Sequence, residues 1–258
     1  MKLILLRTIL FVLVAVIGYS GYQLWSIRQN YVHEARIHNR LMQYSPLAQA
    51  STLQASQTTT FADASEQNDT VVNQSIIDLQ ENYPSVVGWL TIPETLIDYP
   101  FAQVDDNDYY LHRDLDQNWS QAGTIFMDYR NNADLSDFNT IIFGHNMKNG
   151  SMFGTLQEFN DKGFFENNTM GKIFLADKIF QLDFIAFAVI KPNDAVIYNP
   201  YITEEADKID FLNHVAKNAR HYRDIGVTSQ DNIITLSTCS YEFNDARMVL
   251  IARLMPYL

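Results

Sequence analysis

The chain has one cysteine among its 258 residues, Cys239, at the end of the run "NIITLSTC", and an arginine, Arg247, follows eight positions later. A thiol becomes a useful nucleophile when a nearby cation or base favours its thiolate. Arginine stays protonated and cannot act as the base, but its planar fork can donate to a developing oxyanion or to the carbonyls of a peptide. The base must be sought among six histidines. His33 and His38 lie in a polar helical stretch near the N-terminus, His112 lies in the polar segment "YYLHRDL", and His214 and His221 fall on or just after a helix. His145 is placed differently: it follows the run "NTIIF" through Gly144 and precedes the turn "NMKNGS". Rigid scaffolds display site residues at such strand ends. Plainer readings stand beside these. A lone cysteine can be a small buried hydrophobe, and Arg247 can be a strand-end residue paired with Asp245 or Glu242.

The elements that must position these residues are legible in outline. β-like runs separated by turn signals read "VVGWLTI", "LIDYPFAQ", "GTIFMDYR", "NTIIFGHN", "GKIFLADKIFQLDFIAFAVI", "NIITLSTCSY" and "ARMVLIARLM". Many short strands with few helices suggest a barrel or sandwich with helical decorations. The run ending at Cys239 and the one opening near Arg247 are joined by seven residues, a connection tight enough to pair them. A short helix is expected within "QSIIDLQENYP", stopping before Pro84, and a longer one from Thr203 to about Arg220. Thr203 is the expected cap of the longer helix, acidic residues fill its first turn, and Ile209, Leu212, Ala216 and Ala219 form its apolar stripe.

Thirty acidic against 18 basic residues give a net charge of −12, which argues against nucleic-acid binding. Between Arg7 and Arg28 lie 20 uncharged residues, "TILFVLVAVIGYSGYQLWSI". As a helix they span about the ~30 Å of a bilayer core, with Tyr19, Tyr22 and Trp25 gathered at one end like an aromatic belt. The segment exceeds a signal-peptide core, and no small-x-small cleavage site follows it. It reads as an uncleaved anchor over residues 1–27. Residues 28–70 read as a helical stalk followed by a Ser/Thr/Gln/Ala-rich flexible linker, and the folded domain as residues 71–258. Basic residues flank the apolar segment on both sides, so their count does not set the orientation. A short N-terminal tail with a whole domain behind it is consistent with the tail inside and the domain outside. "DLDQN" faintly resembles a calcium loop, but Trp119 stands where that loop needs glycine, and no metal is expected.

"TLSTC" followed by Arg247, with "GH" ending an earlier strand, resembles the Cys–His–Arg constellation of the sortase family. "GWLTIPETLIDYPFAQ", "DNDYYLHRDL", "AGTIFMDYRN", "NTIIFGHNMKNGSMFGTL" and "LSTCSYEF" are similar to class B sortases, over roughly residues 86–254. The resemblance implies a mainly β fold, a closed sortase-type β-barrel with peripheral helices preceded by an N-terminal transmembrane helix. It implies a membrane-anchored cysteine transpeptidase of Gram-positive bacteria, its catalytic domain extracellular. Such an enzyme cuts a C-terminal sorting signal after threonine and passes the acyl group to an amine. Carried over by motif, Cys239 is the nucleophile, His145 the acid and base, and Arg247 the oxyanion donor. Ser237, Asn107 and Leu111 match substrate-binding positions. Family members can carry tyrosine two residues before the histidine, and here Phe143 stands there without a hydroxyl. No cofactor is implied. The acceptor is a peptidoglycan cross-bridge amine, attaching surface proteins to the cell wall. The alternatives are a pilin lysine or, in a surface peptidase with the same residues, water. The segment "KPNDAVIYNPYITEEADKIDF" is the expected wall of the groove.

Overall fold

A computed structural model describes residues 2–48, 72–239 and 245–257. It divides into two units, the first ending at Arg40 and the second beginning at Leu41. The first unit is almost entirely one helix, α1 (Lys2–Leu41), continuous through the apolar segment and the expected stalk. Its apolar stretch is fully exposed and is long and apolar enough to cross a membrane. The linker expected over residues 45–70 falls almost wholly on residues outside the described ones.

The second unit is built from nine strands: β1 (Val86–Thr91), β2 (Asp98–Ala102), β3 (Ile125–Met127), β4 (Asn139–Phe143), β5 (Met170–Phe174), β6 (Ile179–Ile190), β7 (His221–Tyr222), β8 (Asn232–Cys239) and β9 (Arg247–Pro256). Their order is β5-β1-β2-β3-β4-β8-β9-β6-β7, and β5 also pairs with β6. The sheet therefore closes into a ring of eight strands, with β7 added outside on β6, as the sequence leads one to expect. Two contacts in the ring are parallel, β2 with β3 and β4 with β8, and the rest are antiparallel. The long run from Gly171 to Ile190 resolves into the hairpin β5–β6, turning at Leu175, whose amide bonds the carbonyl of Lys178.

Side chains on a strand alternate between its faces, and here both faces of the late strands are covered. Ile234, Leu236, Leu250 and Ala252 point into the barrel with Trp89's neighbours Leu90 and Phe101, while Ile233, Val249 and Ile251 point outward. The outward residues form a second core with Phe138, Ile185, Ile202, Phe211 and Val215. Phe211 and Val215 belong to α4 (Glu205–Asn218), which lies against β6. Two shorter helices among the described residues are α2 (Gln74–Asn82) and α3 (Lys162–Asn167).

The expected details of α4 need correction. Glu204, not Thr203, occupies the cap position, and its side chain makes no capping bond. Phe211 and Val215 are buried and the expected Leu212 and Ala219 pack partly buried beside them, whereas Ile209 is 46% exposed and Ala216 is exposed. Phe211 sets the face by meeting Phe138 edge-on at 5.6 Å, and burying that large ring turns Ile209 toward solvent.

One buried polar group ties the barrel to its outer layer. Asn139 is fully buried on β4. Its Nδ2 donates to the carbonyls of Ile197 (2.9 Å) and Asn199 (3.0 Å), and its Oδ1 accepts from Thr235 Oγ1 at 2.8 Å. Asn139→Ala would leave these buried partners unsatisfied, a loss of about 2–4 kcal/mol. Urea unfolding should show that loss as a lowered midpoint with the slope unchanged.

Candidate active site

The outward row of β8 runs Ile233, Thr235, Ser237, Cys239. In the parallel ladder with β4, Asn139 lies opposite Ile233, Ile141 opposite Thr235 and Phe143 opposite Ser237. His145 follows two residues beyond the end of β4 and lines one cleft with Cys239. On the other edge of β8 the antiparallel ladder sets Arg247 directly opposite Cys239. The three residues singled out from the sequence thus meet at one end of three neighbouring strands. Cys239 is a free, exposed thiol.

Two further bonds hold this end together. The amide of Gly144 donates to the Ser237 carbonyl at 3.2 Å, and Asn146 Nδ2 donates to the Cys239 carbonyl at 2.8 Å, across 93 residues of sequence. Gly144 is required by space: a Cβ there would stand 2.8 Å from the Phe153 ring inside the barrel.

His145 Nε2 lies 2.7 Å from the Leu111 carbonyl. A carbonyl only accepts, so Nε2 carries the proton and Nδ1 is left as the basic nitrogen of the neutral ring. Burial pushes the His145 pKa below the ordinary 6.5, opposed by the Leu111 hydrogen bond and reinforced by the neighbouring His112. Arg247 Nη1 turns back to the carbonyls of Asp245 (2.9 Å) and Ala246 (3.2 Å). It thus takes the backbone oxygen of Asp245, one of the two partners weighed from sequence, and Glu242 lies outside the described residues.

The three residues line a cleft of about 350 Å³ together with Asn107, Leu111, Phe126, Asp128, Arg130, Phe143, Pro192, Tyr198 and Ser237. All three substrate-binding candidates are therefore in it. Leu111 adds its carbonyl to His145. Asn107 receives the Tyr129 amide on Oδ1 and donates to Asp128 Oδ2, both at 3.1 Å. The expected wall segment contributes Pro192 and Tyr198.

Tyr198 was not legible as a site residue, and nothing in its local pattern marks it. Its ring stacks on Phe143 at 6.2 Å, and its hydroxyl meets Ser237 Oγ at 2.8 Å. The hydroxyl missing at Phe143 is thus supplied from the loop after β6. Burial pushes the Tyr198 phenol up to about 12, against the pull of Ser237 and Arg247, so it remains a neutral hydrogen-bonding group.

The pair Asp128–Arg130 was also missed, because "MDYRN" reads as a plain strand end. Burial alone would raise the Asp128 carboxyl, but Arg130 overcomes it and holds the group below the usual carboxylate range. Arg130 binds Asp128 through Nε (2.8 Å) and Nη2 (2.7 Å), and Nη2 also donates to the Tyr198 carbonyl at 3.2 Å.

Known proteins carry related chains. The family model described as the Sortase domain matches residues 90–255. A relative named Sortase B from Listeria monocytogenes is 38% identical over 187 residues, 71% of this chain and 75% of its own. A solved Staphylococcus aureus sortase B–substrate complex is 26% identical with a TM-score of 0.68, over 72% of this chain and 87% of that one. The crystal structure of sortase B from the Type II pilus of Streptococcus pneumoniae is 36% identical with a TM-score of 0.62, over 70% and 98% respectively.

Because the folded His145 binds a proton less readily than the unfolded one, the unfolded state holds more protons as pH falls below about 6.5, and stability drops there. Unfolding midpoints measured across that range should fall less steeply in His145→Gln than in the unaltered protein.

Proposed function

The chain belongs to the sortase family, with class B sortases as its relatives, and we propose that it is a membrane-anchored cysteine transpeptidase whose nucleophile is Cys239. As a sortase it is a transpeptidase that anchors or processes surface proteins. The proposed division is an anchor over residues 1–27, a stalk and linker over 28–70, and a catalytic domain over 71–258 outside the membrane. The observation that supports the reading is that Cys239, paired with Arg247 across β8 and β9, lines one cleft with His145 and Arg247.

In the proposed reaction a sorting peptide lies extended in the cleft, against Phe126, Phe143 and Tyr198, with Ser237, Asn107 and Leu111 as its contacts. The Cys239 thiolate attacks the carbonyl carbon of the peptide's threonine. The carbonyl oxygen becomes an oxyanion, and Arg247 donates to it through N–H groups not used on Asp245 and Ala246. The C–N bond breaks and its electron pair leaves on the amine, which takes a proton from protonated His145. A thioester and a neutral imidazole remain. An incoming amine attacks the thioester, His145 Nδ1 removes the amine's surplus proton, and the thiolate departs. The net charge of −12 favours the approach of a cationic amine. We take that amine to be a cell-wall cross-bridge. The second reading, a pilin lysine, draws on the 36% identity with the pilus sortase. Both acceptors use the same thioester.

Cys239→Ala should abolish cleavage with the fold intact, and Cys239→Ser should be nearly dead. Arg247→Lys should lose about 10²–10³ in kcat, because a point charge does not reproduce the guanidinium fork. Mass spectrometry of products from a sorting peptide and a panel of amines checks the chemistry. A peptide–amine adduct supports transfer, and free peptide acid alone in the presence of amine would sink it.

A further inference from the structure

His112 takes no part in the reaction as written, yet it lies beside its acid–base group. The His112 and His145 ring centroids are 5.8 Å apart with planes 30° apart. His112 directly follows Leu111, so one stretch of backbone bears on a single imidazole twice: the Leu111 carbonyl takes Nε2–H, and the next side chain lies over the ring.

The position of His112 is set by the backbone rather than by its exposed side chain. Ser120 N donates to the His112 carbonyl and Thr124 N to that of Tyr110, both at 2.9 Å. Thr124 Oγ1 donates to the Arg113 carbonyl at 2.8 Å. The loop that carries the stack is therefore pinned on both sides of His112.

Resting on the transpeptidase reading above, we propose that His112 is a positioning residue. Its ring holds the His145 imidazole against the Leu111 carbonyl, and its positive charge, when present, works against a second positive charge on that imidazole. The other groups around His145 do not fill this place. Cys239 ends β8 as the reacting thiol, and Arg247 opens β9 with a constant charge. Across the cleft Asp128 is bound to Arg130, and Tyr198 stays a neutral phenol. On His112's own loop, Arg113 lies over the Tyr109 ring at 5.1 Å, and Asp114 is buried, accepting from the Asn118 amide. The two rings are close enough for a charge on one to act on the other. At 5.8 Å, even a fully solvent-screened charge displaces the partner's titration by about half a pH unit.

Three variants of the full chain in detergent test this: His112→Phe, which keeps a ring without a charge, His112→Ala, which keeps neither, and His145→Ala as a benchmark. The readouts are the His145 imidazole titration by NMR, and kcat and KM for a sorting peptide. In His112→Phe the His145 midpoint should move up by about half a pH unit. In His112→Ala kcat should fall about two- to ten-fold at unchanged KM, and the Phe variant should recover most of that loss. An unmoved midpoint in His112→Phe overturns the proposal, as does an unchanged kcat in His112→Ala. A rise in KM shared equally by both His112 variants also overturns it, because it would make His112 a substrate contact. Full turnover in His145→Ala would instead overturn the transpeptidase reading itself, whatever the His112 variants do.

Discussion

Strand β8 has a backbone ladder on each edge, parallel to β4 and antiparallel to β9. A strand bonded on both sides cannot slide without breaking two sets of hydrogen bonds, and a one-residue slip would turn every outward side chain into the barrel. That double registration fixes the end of β8 relative to both neighbours, with Ser237 opposite Phe143 and Cys239 opposite Arg247. Everything else around the thiol refines a geometry already set. Gly144 lets β4 end against Phe153, Asn146 grips the Cys239 carbonyl, and Leu111 orients the imidazole.

The cleft wall depends on buried polar groups more than on apolar packing. The loop carrying Tyr198 is held by Asn139 from below and Arg130 from the side. Asn131 reinforces both, donating to the Asn139 carbonyl and accepting the Ile141 amide. These groups are satisfied by specific partners, so they select one loop position where an apolar contact would tolerate several. The cleft itself then combines the rings of Phe126, Phe143 and Tyr198 with polar groups such as Asn107, Asp128 and Ser237.

The sequence made the strands and the three central residues legible for different reasons. Period-two runs and glycine or asparagine breaks mark strands directly, and a lone cysteine, a histidine after "NTIIF" and a close-following arginine are visible as types in places. Class B motifs supplied the proposed substrate-contacting positions, and all three line the cleft. What could not be read depends on contacts distant in sequence. Tyr198 becomes a site residue only because Asn139 pulls its loop over Phe143, and Asp128 only because Arg130 neutralises it within the cleft. The helix stripe of α4 was misread for the same reason: Phe211 pairs with Phe138, 73 residues earlier in the numbering of the chain, and that partner decides which face is buried. The length and apolarity of α1 were readable from composition alone, but its continuity through to Leu41 was not.

The place of β9 in the ring has a consequence for when the molecule becomes chemically competent. β9 follows the other eight described strands in the chain, and it is the common neighbour of β6 and β8, with ten residues paired to β6. Until it has emerged, those two strands share no ladder, the eight-strand ring stays open, and Arg247 has no position to occupy. Pairing between such distant segments forms late and slowly. A nascent chain therefore exposes Cys239 before the ring can close around it. A chain cut short just after Cys239 would keep the thiol and lose the strand that closes the barrel.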